Sequence, residues 1–227
     1  MGTARSGQRW TLQEAVVRLG VKKVGAIAQQ IALTNTFVRP DDSNFDMQRF
    51  WTHSVAVAMI ADRIVMDSTD LEEKVPFNDY WMAALLHNCG KVVQGFFFPD
   101  WFERILRSMD NKTTFAKAET DLGGAISHEW IGELVLRKSD MPSDLIRAVG
   151  LHHVLGERPS PLTALVHVAD GIAKEMGLWL VEDEAVDFDR AALTVLQLKR
   201  EDARNLSKKY AATAKDDVRR LVKECMS

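Results

Sequence analysis

The sequence predicts an all-α fold: a single-domain helical bundle of roughly ten helices. Three observations carry this expectation. Apolar residues recur at three- and four-residue spacing along most of the chain. Strand-like alternation is nearly absent, and no heptad persists long enough for a coiled coil. A chain of 227 residues can also bury a sizeable core.

Taken in order, Thr11 followed by Glu14 reads as a capping box opening Leu12–Leu19, with Gly20 as its stop. Val21–Phe37 continues as a second helix, with Val24, Ile27, Ala28 and Ile31 on one face. The turn from Arg39 to Asn44 precedes a longer helix over Asp46–Asp67. Another is expected over Pro76–Cys89, ended by Gly90. Pro99 and Asp100 open Trp101–Met109, and a polar stretch over Asp110–Thr114 follows. Gly123 and Gly124 precede a helix through His128 to Leu136, and Pro142 suits the first position of Pro142–Leu151. Leu162–Met176 is strongly amphipathic. A last pair spans Asp189–Leu198 and Arg200–Glu224. The domain is read as 5–200, with 201–227 a C-terminal helix packed on it or extending it.

Composition narrows the function. The formal charge is −3 with the signs well mixed, so no basic stripe announces nucleic acid, and Lys22-Lys23 and Lys208-Lys209 read as solvated faces. Cys89 and Cys225 are too few and too far apart for a disulfide framework, which favours a reducing cytoplasm. The N-terminus has no apolar signal-peptide region, and no apolar stretch is long enough to span a membrane.

Histidine placement carries the chemistry. Six histidines occur, and most sit where a helix should face inward. His53 shares a stripe with Val57, Ile60 and Ile64; His87 shares one with Tyr80, Ala83 and Ala84. His128 aligns with Ile131, Gly132 and Val135, the glycine leaving room beside the imidazole. His152 and His153 end a helix and point in different directions, so that at most one obviously faces inward. Asp170 stands on an otherwise apolar face, where a carboxylate needs a cation, an imidazolium or several hydrogen bonds. His167, one turn before it, is expected to orient it. Imidazoles beside a carboxylate suit a divalent metal; a lone core histidine is more often a hydrogen-bonded structural residue. Lys91, after the glycine, reads as a solvated charge at a helix C-terminus, and Glu119 as either a supporting carboxylate or an exposed one.

The segments Phe50–Ala58, Ala84–Lys91, Glu119 with His128–Gly132, Met141-Pro142, Ala148 with His152-His153, and Val168–Asp170 follow one another in a familiar order. In that order and spacing the chain resembles the HD-related output domain (HDOD) family, a branch of the HD superfamily of metal-dependent phosphohydrolases. Arg5–Gly20 also looks like a mid-domain segment of that family. The resemblance covers about residues 5–200. It implies an HD-superfamily-like all-α fold and a bacterial signalling role. It also implies that several helices usually precede the segment at Arg5; their absence would expose core and favour a homo-oligomer.

Mapped residue by residue, the resemblance makes His53, His87, Asn88, His128, His152, His153 and Asp170 the metal positions. The metal would be a divalent ion (Fe, Mn, Zn, Ni or Mg), one or two per chain. One departure matters most. The His-Asp pair that names the superfamily is His87-Asn88 here, and a neutral amide is a poorer bridge between two cations than a carboxylate. The Gly-Tyr-Pro signature of the cyclic-di-GMP phosphodiesterase relatives is also missing after His153. Two readings follow. The first is a signalling domain without catalysis, binding a protein partner or small ligand. The second is a phosphohydrolase acting on a nucleotide or cyclic dinucleotide, with Lys91 as its catalytic group near the phosphate.

Overall fold

The computed structural model describes residues 45–68, 70–110, 112–123, 126–211 and 214–225. The helices expected at Leu12–Leu19 and Val21–Phe37, and the turn between Arg39 and Asn44, lie outside the described residues. Among those described, every regular element is helical.

Helix α1 (Met47–Met66) starts where the Asp46 side chain accepts a hydrogen bond from the Arg49 amide, 2.9 Å away. That bond satisfies one of the amides that a helix N-terminus leaves without a partner. A short turn, α2 (Leu71–Lys74), leads to α3 (Phe77–Leu86). Helix α9 (Pro161–Glu175) is the axis of the bundle. Every residue from Leu162 to Lys174 is buried, so it has no solvent face to keep polar. It packs against α1, α3 and α8 (Ser143–Leu151). Ser160 caps it by accepting from the Thr163 amide at 3.1 Å, and Pro161 occupies its first position.

The region around Gly90 corrects one expectation. The chain does not end a helix at Gly90; it breaks earlier, at His87-Asn88, and starts α4 (Cys89–Phe97) at once. Asn88 has φ −102° and ψ 14°, outside the helical range. Gly90 lies inside α4 because that helix crosses α7 (His128–Lys138) backbone to backbone. A Cβ at Gly90 would stand 1.9 Å from the His128 carbonyl oxygen. Glycine is required there for contact, not for a left-handed turn.

Helix α5 (Pro99–Ser108) opens with proline as expected. Helix α6 (Phe115–Asp121) was not anticipated after the polar stretch. Thr114 caps it, accepting from the Lys117 amide at 3.1 Å, and it buries Phe115, Ala118 and Glu119. The expected Arg200–Glu224 helix is two, α11 (Arg200–Ala211) and α12 (Lys215–Cys225), preceded by α10 (Arg190–Val195). Helix α12 returns against α1 with Val218 and Val222 buried. Among the described residues, no helix is long and apolar enough to cross a membrane.

Candidate metal centre

Five elements aim side chains at one interior point. Helix α1 supplies His53, the α3–α4 break supplies His87 and Asn88, and the first turn of α7 supplies His128. The end of α8 supplies His152 and His153, and α9 supplies Asp170. The break matters because it turns His87 and Asn88 inward together, which an uninterrupted helix would not do. His53, His87, Asn88, His128 and His152 are all wholly buried, and Asp170 nearly so.

The side chains form two triads. The ligating atoms of His53, His87 and Asp170 lie within 4.8 Å of one another, as do those of His128, His152 and His153. The His87 and His152 rings, 5.2 Å between centroids, join the triads. Both His152 and His153 therefore reach the centre, where the sequence expectation gave only one an obvious inward direction.

Ring orientation follows from the outer nitrogens. Nδ1 of His53 faces the Leu178 carbonyl at 2.7 Å, that of His87 faces Ala84 at 2.7 Å, and that of His152 faces Val149 at 2.8 Å. A carbonyl oxygen only accepts, so each Nδ1 carries a proton and each ring turns its Nε2 to the centre. Burial holds His87 down at about 4 and His152 and His153 well below the usual histidine range. These rings are therefore neutral at pH 7. His128 is held differently: its Nδ1 meets the Glu119 carboxylate, whose other oxygen accepts from the His128 amide at 2.8 Å. Gln94 donates to the same carboxylate at 2.6 Å.

Polar atoms therefore crowd the centre. His53 Nε2 lies 3.2 Å from His87 Nε2 and 3.0 Å from Asp170 Oδ1. In the other triad, Nε2 of His128, His152 and His153 are buried without a hydrogen-bond partner among the described residues. Converging bare lone pairs with outer nitrogens held by carbonyls or a carboxylate are the arrangement metal-ligating histidines adopt. The residues present fit a divalent metal on that ground.

The HDOD domain model matches residues 5–155 of this sequence. The chain belongs to the HDOD domain family. Three solved structures share its fold. One, named as a signal transduction protein of Marinobacter aquaeolei VT8, is 22% identical with a TM-score of 0.75. This chain is covered over 98% of its length, yet it spans only 49% of that protein. A second, named as a phosphohydrolase of Shewanella amazonensis SB2B, is 17% identical with a TM-score of 0.66, covering 98% of this chain and 79% of its own. The third, an HDOD domain protein of unknown function from Geobacter sulfurreducens, is 21% identical with a TM-score of 0.69, covering 97% and 77%. Among curated proteins, none matches the chain.

Several charged groups of this HDOD chain sit where sequence reasoning did not put them. Lys91 is not solvated: it is wholly buried in α4, its Nζ 4.0 Å from Glu184 Oε2 and 4.5 Å from the centre of the Phe115 ring. Burial pushes its pKa down, with Glu184 opposing. Lys174, one turn after Asp170, was overlooked; its Nζ bridges Asp170 Oδ2 and Glu184 Oε1, each at 2.8 Å. Its spacing of four from Asp170 was the available signal. Glu184 is buried, and its Oε1 also accepts from the Phe115 amide that opens α6. Against the cost of burial, Lys174 holds the Asp170 carboxyl well below the usual carboxylate range.

Two supporting roles also change. His167 does not orient Asp170: its Nδ1 donates to the His152 carbonyl at 2.8 Å and its Nε2 accepts from the Asp189 amide at 2.9 Å. It fixes the backbone that carries His152. Gly132 makes room not for an imidazole but for Val149, whose Cγ1 would lie 2.9 Å from a Cβ at that position. Access to the centre runs through a cleft of roughly 870 Å3, whose walls include Lys112, Lys117, Glu129, His153, Asp170 and Lys174. That volume suits a small ligand.

Proposed function

We propose that this chain is a regulatory HDOD domain that keeps an HD-type metal pocket but does not hydrolyse phosphoesters. It acts by binding a signalling protein partner or a small ligand. One observation carries the reading. Asn88 replaces the carboxylate that would bridge two ions, and its Nδ2 donates to His87 Nε2 at 2.7 Å, occupying a lone pair a metal would need. A neutral amide neither balances the charge of two cations nor bridges them through both its heavy atoms.

Within this reading, His53, His87, His128, His152, His153 and Asp170 line the pocket that would hold a divalent metal, with Asn88 beside them. When bound, such an ion supplies Lewis acidity. The protein's own part is to keep His87, His152 and His153 neutral and to fix the tautomers of His53, His87 and His152 through Leu178, Ala84 and Val149. Lys91 is held by Glu184 and the Phe115 face, away from solvent.

The phosphohydrolase reading draws support from a different observation: the six ligand side chains converge and the cleft reaches Asp170, His153 and Lys174. A panel of phosphomonoesters, nucleotides and cyclic dinucleotides with manganese separates the two. The regulatory reading expects no turnover on any of them. Turnover that His87→Ala abolishes would overturn it in favour of the enzyme, with Lys91 then tested as the phosphate-side group.

A further inference from the structure

The two triads are not equivalent, and the difference lies in what already occupies them. In the His53–His87–Asp170 triad, the Asn88 amide caps His87 Nε2 at 2.7 Å and the Lys174 ammonium holds Asp170 Oδ2 at 2.8 Å. Lys174 is itself buried, 4% exposed, and anchored on its other side by Glu184. In the His128–His152–His153 triad, all three Nε2 atoms lack a hydrogen-bond partner among the described residues. Carboxylates stand behind this second triad. Glu119 accepts from His128 Nδ1, while Glu129 accepts from the His153 amide at 2.9 Å and lies 3.9 Å from His152 Nδ1.

We infer that the pocket takes one metal ion, in the His128–His152–His153 triad, and that Lys174 is a built-in cation standing in for the second ion beside Asp170. This deepens the metal-pocket reading above and rests on it. Two physical arguments carry the asymmetry. A cation entering the first triad must approach an ammonium that sits on the same carboxylate, and in a buried site that repulsion is weakly screened. It must also displace the amide donor on His87. In the second triad no donor needs displacing, and the Glu119 carboxylate behind His128 fixes the orientation of its ring. Three imidazole nitrogens select a borderline transition ion such as Zn2+, Ni2+ or Co2+ over Mg2+, which prefers oxygen.

Cobalt and zinc loading of the full chain tests this without any assay of activity. After dialysis, elemental analysis should find one equivalent per chain, accompanied by a visible Co2+ ligand-field band. His128→Ala should lose that equivalent and band; His53→Ala should keep both. Lys174→Met, checked for its fold by circular dichroism, should raise the count from one to two. If that variant does not fold, Asn88→Asp supplies the second carboxylate independently and should likewise give two. Two equivalents in the unaltered chain would overturn the inference while leaving the metal pocket intact. So would a single ion lost with His53→Ala but kept with His128→Ala, or a folded Lys174→Met that stays at one. Absence of any retained ion in the unaltered chain and in Asn88→Asp has a separate meaning: the metal-pocket reading itself fails, and this inference with it.

Discussion

At the scale of single residues, the decisive property is that His87, His152 and His153 are buried neutral. His87 has a pKa of about 4 in the folded chain against 6.5 for an ordinary histidine, with burial the largest cause. The unfolded chain therefore takes up a proton at His87 before the folded one does, and stability drains away as pH falls from 6.5 towards 4. A displacement of that size corresponds to roughly 3 kcal/mol for this ring. His152 and His153, also lowered, act in the same direction. Carboxylates held low by their partners, such as Asp170 and Glu119, extend the loss further into acid. Urea unfolding of metal-free protein should show a clearly lower midpoint at pH 5 than at pH 7; equal midpoints would mean that the rings are charged or solvated.

Two substitutions isolate individual contacts in the centre. Asn88→Asp exchanges a neutral amide for an anion beside His87, and calorimetry should register divalent-ion binding at least about tenfold tighter, or about 1.4 kcal/mol. Unchanged affinity would remove Asn88 from the metal's surroundings. Glu119→Gln keeps the shape but removes the charge behind His128. Supporting partners of this type typically contribute about 10–100-fold in metal affinity, so zinc binding should weaken by that order. A variant that binds zinc as tightly as the parent would make Glu119 a purely structural acceptor.

Elements place these residues, and one crossing is the most sensitive. Helices α4 and α7 approach so closely at Gly90 that a methyl group would strike the His128 carbonyl, a backbone atom unable to rotate away. Gly90→Ala should destabilise the fold by about 1–3 kcal/mol, read as a lower thermal midpoint, and should displace His128 from the centre. A variant of parental stability would show that the crossing is looser than this geometry. Gly95 makes a similar approach to the Phe45 ring, 2.2 Å from a Cβ built there, but a side chain can yield where backbone cannot. The same crossing explains a misreading. Gly90 after an apolar run looks like a helix stop, and only the distant partner α7, not the neighbouring sequence, reveals it as a contact residue.

Over the whole molecule, what was legible in the sequence followed from periodicity and what was hidden followed from contacts across the chain. The long helices α1 and α9 were visible because their apolar spacing runs for many turns. Helix α6, only seven residues long, was not; its burial comes from packing rather than from pattern. The convergence of His53, His87, His128, His152, His153 and Asp170 was readable through inward stripes and the HDOD resemblance. Lys174 and Glu184 were not, because a lysine and a glutamate ten residues apart look like solvated charges until the fold buries them together.

Buried imidazoles, with His87, His152 and His153 neutral, turn their Nε2 atoms towards one interior pocket able to take a cation. Nitrogen-15 NMR of the histidine rings, recorded on metal-free and zinc-loaded protein, tests it most directly. Without metal, His53, His87 and His152 are expected as the Nδ1-protonated tautomer, and zinc is expected to shift Nε2 of His128, His152 and His153. Nε2-protonated rings whose resonances ignore zinc would contradict it.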